Sequence, residues 1–465
     1  MLRIFGHFLP IPPMILAITE AILVSIAICL VIGPGLTSPA GFDATRVQFA
    51  LLLSLAVIAA MVGVGLYSAD AFLDRRIALV RVLIAVILAA PIAFMIRLLF
   101  EALSESPSNL GPHWALKAFA AWLICLGATR TMFSRFSDLE IFKRRILVLG
   151  SGARAFEIQK LAKTSPQIGF KPIAFVRACD DRRLVRSIEL SAGPHEDALR
   201  NVAHDLGAQE VVIATDERRG LPVQQLLRCK LGGIDVVDYV GFCERETGRA
   251  DLEALQPSWF ILSDGFRFGP IFETAKRAFD IAVSVSMLIV VLPVLCLTML
   301  AIRLESAGPI LYRQERVGLR GRRFVLLKFR SMRFDAEADG SPKWAERGDL
   351  RVTRIGAFIR KFRIDELPQL LNVIRGDMAV VGPRPERPYF VEQLTQQIRF
   401  YNERHAVRPG ITGWAQINYP YGASVEDARQ KLSYDLYYLK NRSLFLDLVI
   451  LVQTARVILW SQGAR

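Results

Sequence analysis

The sequence predicts three parts in series. An α-helical membrane bundle (residues 1–137) is followed by an α/β Rossmann-like domain (138–268), then by a mostly α, monotopic domain with a re-entrant membrane helix (269–465). Three observations carry this reading. Four apolar stretches open the chain, strand-like and helix-like runs then alternate, and a fifth apolar run leads into a basic region broken by prolines.

Composition supports such segregation. Of 465 residues 52% are hydrophobic, yet the formal net charge is +14. Both properties fit one chain when apolar segments lie in a bilayer and basic ones at its surface, near headgroups or phosphate ligands. No zinc-finger spacing, basic-region heptad or RNA-binding aromatic signature occurs, so nucleic acid is not an expected partner. The six cysteines are scattered, which excludes a disulfide framework or zinc site and fits a reducing compartment.

The apolar stretches are Pro13–Ile32, Gln48–Tyr67, Ala78–Phe100 and Ala115–Phe133, each near the ~20 residues that cross a bilayer. The first lacks a small-residue cleavage site and reads as a span. Arg75, Arg76 and Arg81 flank the second connection, and Arg130, Arg135, Lys143, Arg144 and Arg145 follow the fourth span. The positive-inside rule then places both ends of the bundle in the cytoplasm. Arg81, Arg97 and Lys117 lie at segment ends, where they can snorkel.

Arg145–Gly150 reads as a buried parallel strand, and Gly150-Ser151-Gly152-Ala153-Arg154-Ala155 opens a helix through about Ala162. Further strands are expected at Pro172–Val176, Glu210–Ala214 and Ile234–Tyr239, with helices at Asp197–Leu206 and Val223–Leu227. The glycine turn has the form that cradles a dinucleotide pyrophosphate, but the second strand ends Phe175-Val176-Arg177, without the usual ribose-binding acid. A degenerate, non-catalytic domain is expected, with a regulatory ligand or a second subunit left open as its partner.

The fifth run, Ala278–Ile302, has Lys276 and Arg277 before it, Arg303 after it and Pro293 inside it. Proline removes an N–H and clashes with the preceding turn. A helix that breaks and returns to its own side keeps the following basic region in the cytoplasm; a kinked crossing helix is the alternative. Ser284, Ser286 or water is expected to satisfy the backbone groups freed at the break.

Pro309–Gly318 and Phe324–Met332 flank a turn at Leu319–Gly321 and read as a β-hairpin. After a polar loop, Asp335 to Asp349, come Arg351, Arg354, Arg360, Lys361 and Arg363, then the adjacent acids Asp365 and Glu366. Cations on this scale let neighbouring carboxylates stay ionised at neutral pH. Asp365 reads as an N-cap with Leu370, Leu371 and Ile374 as the apolar face of the following helix. A helix start with free N–H groups suits phosphate and metal, although such an acidic pair is also an ordinary cap. Two stiff turns, Val380–Pro388 and Arg408–Trp414, hold further arginines. Leu444–Trp460 is expected to lie in the membrane interface, or to be an ordinary packing helix.

From about Lys276 to the C-terminus these motifs resemble the polyprenyl-phosphate hexose-1-phosphate transferase superfamily, the monotopic bacterial sugar transferases. The segments that carry the resemblance are Lys276-Arg277-Ala278-Phe279-Asp280, Arg313–Gly318, Lys328–Met332, Arg351–Gly356, Asp365–Leu370, Gly382–Pro385 and Arg408–Trp414. With the bundle and Rossmann-like domain in front, the chain resembles the large exopolysaccharide form, and Ile417–Gly422 resembles the exosortase-associated branch. One departure is Leu292 before Pro293, where the family often has Ser-Pro.

The resemblance implies a UDP-sugar:undecaprenyl-phosphate sugar-1-phosphotransferase of the bacterial inner (cytoplasmic) membrane, multi-pass, with its catalytic domain on the cytoplasmic face. It implies Asp365 as the nucleophile that forms a phosphosugar-aspartyl intermediate and releases UMP, and Glu366 as a ligand of Mg²⁺. Lys328, Arg330, Arg360, Arg384 and Arg408 are the candidate phosphate-binding residues. Expected partners are the UDP-sugar, undecaprenyl phosphate and membrane lipids; a homo-oligomer stays open. Two other classes compete. A membrane-bound NAD-dependent nucleotide-sugar epimerase or dehydratase needs a Tyr-x-x-x-Lys pair, which the chain lacks, and a non-enzymatic polysaccharide-assembly scaffold leaves the acidic pair unexplained.

Overall fold

The computed structural model describes residues 2–4, 7–9, 11–32, 44–67, scattered positions between 81 and 98, 114–136, 143–164, 169–177, 182–189, 197–217, 219–266, 269–333, 351–420, 422 and 424–459. The chain divides into two compact units, in the main Phe8–Glu246 and Thr247–Arg465. The division falls before the expected 268/269 boundary. Ala250 and Leu255 enter the core built on Leu436 and Leu439, and Trp414 donates to the Gly248 carbonyl at 2.7 Å.

The first unit opens with α1 (Ile11–Ile32), α2 (Ala44–Gly63) and α3 (Trp114–Phe136), three of the four expected spans. The remaining one, Ala78–Phe100, lies largely outside the described residues, with helical fragments between 81 and 98. Glu20 is 1% exposed and pairs with Arg130 at 3.2 Å, a polar tie between α1 and α3 that the sequence reading passed over. Arg81 does not snorkel: it is buried and donates to the Gly65 carbonyl at 2.8 Å. Arg97 lies outside the described residues and Lys117 is exposed.

Five parallel strands follow: β1 (Arg144–Leu149), β2 (Phe170–Arg177), β3 (Ile188–Glu189), β4 (Glu210–Ile213) and β5 (Asp235–Asp238), in the order β3-β2-β1-β4-β5. Helices α4 (Ala153–Thr164), α5 (Ala198–Asp205) and α6 (Val223–Leu231) connect them. Burial on both faces explains the unbroken apolar run Ile146–Leu149, each residue fully buried.

The glycine turn lies at the end of β1, but its cradle is filled from within. Asp216, just past β4, accepts hydrogen bonds from Ala153 N at 2.8 Å and Arg154 N at 3.1 Å, the first N–H groups of α4. A Cβ on Gly152 would lie 2.0 Å from that carboxylate. The close approach that glycine ordinarily allows a pyrophosphate is taken up by a side chain of the same chain.

The second unit is mostly α, as expected. Its longest element, α7 (Pro270–Glu305), is one α-helix of 36 residues that continues through Pro293. Among the described helices it is the one long and apolar enough to cross a membrane. One stripe, Lys276, Asp280, Ser284, Leu295, Thr298 and Ile302, is buried, while Ile289, Val290 and Leu297 stay exposed. The Ser284 hydroxyl makes no hydrogen bond among the described residues and lies well before Pro293, so it does not serve a proline break.

The expected hairpin is β6 (Leu311–Val317) and β7 (Arg323–Phe329). The polar loop from Asp335 to Asp349 lies outside the described residues. Helix α8 (Arg354–Lys361) starts at Thr353, whose hydroxyl accepts from Gly356 N at 2.9 Å. Helix α9 (Gln369–Arg375) precedes β8 (Ala379–Val381), which pairs in parallel with β9 (Gly410–Thr412). Two long helices close the unit, α10 (Val425–Asn441) and α11 (Leu444–Leu459). One face of α11, with Leu446, Asp447 and Ile450, is wholly buried, so it packs into the unit along that side.

Candidate active site

Asp365 and Glu366 sit between α8 and α9 in a 3₁₀ turn, Ile364–Glu366. Arg363 enters that turn in the left-handed region at φ 56°, a conformation that costs a non-glycine residue about 1 kcal/mol. Asp365 is therefore not the N-cap of an α-helix: α9 begins at Gln369, after Pro368. Its buried face is Leu370, Asn372 and Val373, while Leu371 turns outward. The helix begins late because Pro368 supplies no N–H and its fixed φ suits the first turn.

The two acids are both nearly buried, at 9% and 8% exposure, but differently engaged. Glu366 Oε1 accepts from Arg384 Nη2 at 2.6 Å and from Lys328 Nζ at 3.2 Å, and Oε2 lies 3.8 Å from Arg363. Burial alone raises the Glu366 pKa, but Arg384 and Lys328 outweigh it and hold this carboxyl well below the usual range. Asp365, in contrast, accepts no hydrogen bond and joins no ion pair among the described residues. Burial and the negative charge of Glu366 push it up to about 6, against the pull of Lys328, Arg384 and Arg360. Burial likewise lowers the pKa of Lys328, with Glu366 opposing. The result is one anchored carboxylate and one unengaged carboxylate whose pKa is raised.

Of the five basic candidates, the structure brings three to the acids. Lys328 from β7 and Arg384 from the turn after β8 bond Glu366, and Arg360 from α8 acts on Asp365 through charge. Arg330 and Arg408 are engaged elsewhere. Arg330 is buried and donates to the carbonyls of Ser306 and Ala307, closing the turn between α7 and β6. Arg408 donates to the Gly376 carbonyl at 3.2 Å and lies 3.7 Å from Glu273. A count of motif arginines does not separate those that face the acids from those that brace backbone carbonyls, since both occur on stiff turns.

The family model for bacterial sugar transferases matches residues 271–461, the segment that contains this site. The UDP-glucose:undecaprenyl-phosphate glucose-1-phosphate transferase of Klebsiella pneumoniae is 31% identical over 349 residues, 73% of this chain and 73% of the relative. The chain belongs to the bacterial sugar transferases, within the polyprenyl-phosphate hexose-1-phosphate transferase superfamily.

Two further relatives of this sugar transferase are matched over a smaller part of their own length. The UDP-N-acetylgalactosamine-undecaprenyl-phosphate N-acetylgalactosaminephosphotransferase of Aeromonas hydrophila is 43% identical over 266 residues, 56% of this chain and 62% of the relative. The undecaprenyl-phosphate glucose phosphotransferase of Komagataeibacter xylinus is 33% identical over 384 residues, 77% of this chain and 66% of the relative. The chain thus spans just under two thirds of these two proteins.

The donor chemistry of the acidic pair is that of a hard-cation site, with carboxylate oxygens only. Mg²⁺ takes hard oxygen donors, one or two carboxylates with substrate phosphates and water. Among the described residues no group of three acidic, histidine or cysteine side chains gathers, so a magnesium ion here would rest on the Glu366 carboxylate together with substrate phosphates and water. Glu366 would share its charge between such an ion and Arg384.

The sequence reading missed the supports of the site. Arg404 donates to the Arg384 carbonyl at 3.0 Å and to Tyr401 Oη at 2.7 Å, and pairs with Asp435 at 2.8 Å. Arg316 donates to the Pro385 carbonyl at 3.2 Å, and burial lowers its pKa to about 10. Asn372, fully buried, accepts from Leu327 N at 3.0 Å and donates to the Val325 carbonyl at 2.8 Å, so α9 grips β7 beside Lys328. A polar residue inside the buried face of α9 was the one legible signal among these.

Proposed function

We propose that this chain transfers a sugar 1-phosphate from a UDP-sugar to undecaprenyl phosphate, with Asp365 as nucleophile. The observation that carries the proposal is the asymmetry of the acidic pair: Glu366 is held by two cations while the equally buried Asp365 carboxylate has no partner among the described residues. A carboxylate that is desolvated, ionised and unbonded is a nucleophile. The names of the relatives support the substrate classes.

In the first half-reaction an Asp365 oxygen attacks the β-phosphorus, the bond to the bridging oxygen breaks, and UMP leaves with that electron pair. In the second, an oxygen of undecaprenyl phosphate attacks the same phosphorus and Asp365 is released, so the kinetics are ping-pong. Arg384, Lys328, Arg363 and Arg360 surround the two acids with an excess of positive charge, which suits a diphosphate and steadies the charge on the leaving group. Glu366 would hold Mg²⁺, which supplies neutralisation of the diphosphate when bound.

The membrane reading supports access to a lipid phosphate. Both ends of α7 engage the same folded unit. Arg277 near its start donates to the Val373 and Ile374 carbonyls, while Glu305 at its end accepts from Ile355 N at 3.1 Å. A crossing helix would hold its two ends on opposite sides, whereas a helix that enters from one side leaves both within reach of one cytoplasmic unit. We read the apolar helices in front as spans of the inner membrane.

The test incubates the purified chain with radiolabelled UDP-sugars, Mg²⁺ and undecaprenyl phosphate and follows UMP and lipid-linked label. Transfer to lipid with stoichiometric UMP is expected, and which UDP-sugar is consumed identifies the hexose. UMP release at the wild-type rate in Asp365→Asn would rule out covalent catalysis by this residue. An epimerised or dehydrated nucleotide sugar without lipid product would favour the competing NAD-dependent class.

A further inference from the structure

We propose that Asp280, on the apolar helix α7, is a positioning residue for Arg384, holding the strand that carries this arginine to Glu366. The inference deepens the transferase reading and rests on it for the role of Arg384.

Strand β8 has one neighbour, β9: Ala379 N donates to the Pro409 carbonyl at 2.8 Å and Gly382 N to the Thr412 carbonyl at 2.9 Å. The alternate N–H, that of Val380, points away from β9, and a buried N–H without an acceptor is costly. Asp280 Oδ1 takes it at 3.1 Å, where a third strand would otherwise be needed. The same oxygen accepts from Lys276 Nζ at 2.7 Å, and Lys276 reaches on to Asp447 of α11 at 2.9 Å. Tyr438 Oη lies 2.8 Å from Asp447 Oδ1 and 3.1 Å from the Val381 carbonyl, sharing one proton between two acceptors. Lys276, Asp280, Asp447 and Tyr438 are each at most 2% exposed, so this cluster is held in one arrangement.

Its effect is carried to Arg384 along a short, stiff path. Gly382 and Pro383 follow β8 directly, and Gly410 N donates to the Pro383 carbonyl at 2.9 Å. A Cβ on Gly382 would lie 2.4 Å from the Arg408 carbonyl, so the two turns interlock without room to shift. Arg404 fixes the Arg384 carbonyl at the far end, and Arg384 Nη2 meets Glu366 Oε1 at 2.6 Å. The seating of α7 and the cation on the acidic pair are thereby set by one cluster.

The test combines a double-mutant cycle with amide exchange on the full chain in nanodiscs. Asp280→Ala should lower kcat about tenfold, as expected for loss of a charge-assisted hydrogen bond, and Asp280→Asn, which keeps an acceptor for Val380 N, should restore most of it. In an Arg384→Ala background, Asp280→Ala should cost almost nothing more. Hydrogen–deuterium exchange should quicken at Val380–Arg384 in Asp280→Ala and stay unchanged in the rest of the unit. Equal losses in both backgrounds, or faster exchange spread over the whole unit, would show a merely structural role and overturn the proposal. If Asp280→Ala does not fold, Tyr438→Phe serves: faster exchange confined to the same segment supports the proposal, and unchanged or unit-wide exchange overturns it. Exchange needs no substrate, so a wild-type chain that transfers no sugar phosphate would sink the transferase reading while this link is still decided.

Discussion

Asp216 in the first unit gives its two oxygens to backbone N–H groups at 2.8 and 3.1 Å, whereas Asp365 in the second gives neither oxygen to any described donor. Both acids lie beside positive charge, one at a helix start and one within a ring of cations. The difference is in what the charge is used for. At α4 the carboxylate occupies the place of an anionic ligand, and a nucleotide cradle becomes a structural cap. At the 3₁₀ turn Arg384 and Lys328 bond Glu366, and its neighbour Asp365 is left without a bond of its own among the described residues. A fully satisfied carboxylate stabilises a fold; an unsatisfied one stores reactivity at a cost in stability.

The comparison breaks most visibly at Asp365. Asp365→Asn should lower UMP release and lipid product by at least ~10³-fold, as loss of a covalent nucleophile does. Its melting temperature should not fall, because the substitution removes a buried charge that burial and Glu366 disfavour. A variant that is both inactive and markedly unstable would place Asp365 with Asp216 as a structural acid.

Arg384→Ala comes next. It should cost roughly 10²-fold in kcat by removing a preorganised cation and should raise the Glu366 pKa, both readable from a pH–rate profile. Retained activity would mean that Lys328 alone anchors Glu366.

A smaller effect separates the acids by titration. Activity should fall as pH drops through about 6, where Asp365 takes a proton, with no second limb from Glu366, which stays ionised. The stability contribution has the opposite sign. A raised folded-state pKa favours the protonated form, so this carboxyl's contribution is full below its unfolded value of about 3.8 and is lost as pH rises towards 6. Glu366→Gln removes the negative neighbour and should move the activity limb to lower pH while weakening the magnesium dependence. An unmoved limb and an unchanged metal titration would separate Glu366 from both roles.

Asp216→Asn should show the smallest effect on turnover and a clear one on the fold: transfer retained, with stability lowered by about 1 kcal/mol through loss of a charged cap. Urea unfolding measured alongside transfer checks it. Tight NAD binding by the wild-type chain would contradict a cradle already filled by Asp216.

The grouping of the acids with nearby cations was legible because these residues are local in sequence. Asp365 and Glu366 are adjacent within one motif, and Arg360 lies five residues earlier. Four of the five parallel strands were legible, most clearly where burial on both faces leaves an unbroken apolar run such as Ile146–Leu149; the short exposed strand Ile188–Glu189 left no such run. The N-cap expected at Asp365 lies three residues later, at Pro368, because an acid, an apolar residue and a proline satisfy a cap and a 3₁₀ turn equally well. Arg330 and Arg408 were grouped with Arg384 because a charge on a stiff turn looks the same whether it faces a ligand or a carbonyl.

The superfamily motifs and the adjacency of Asp365 and Glu366 could be read from the chain alone, since they depend on spacing. Three things required the folded arrangement: which acid is anchored and which is left unbonded, that Asp216 closes the glycine turn, and that Asp280 holds the strand before Arg384. Asp216 lies 63 residues from its partner Ala153, and Asp280 lies 100 residues from Val380. Hydrogen bonds across such separations are selected by packing, which leaves no periodic trace in the chain.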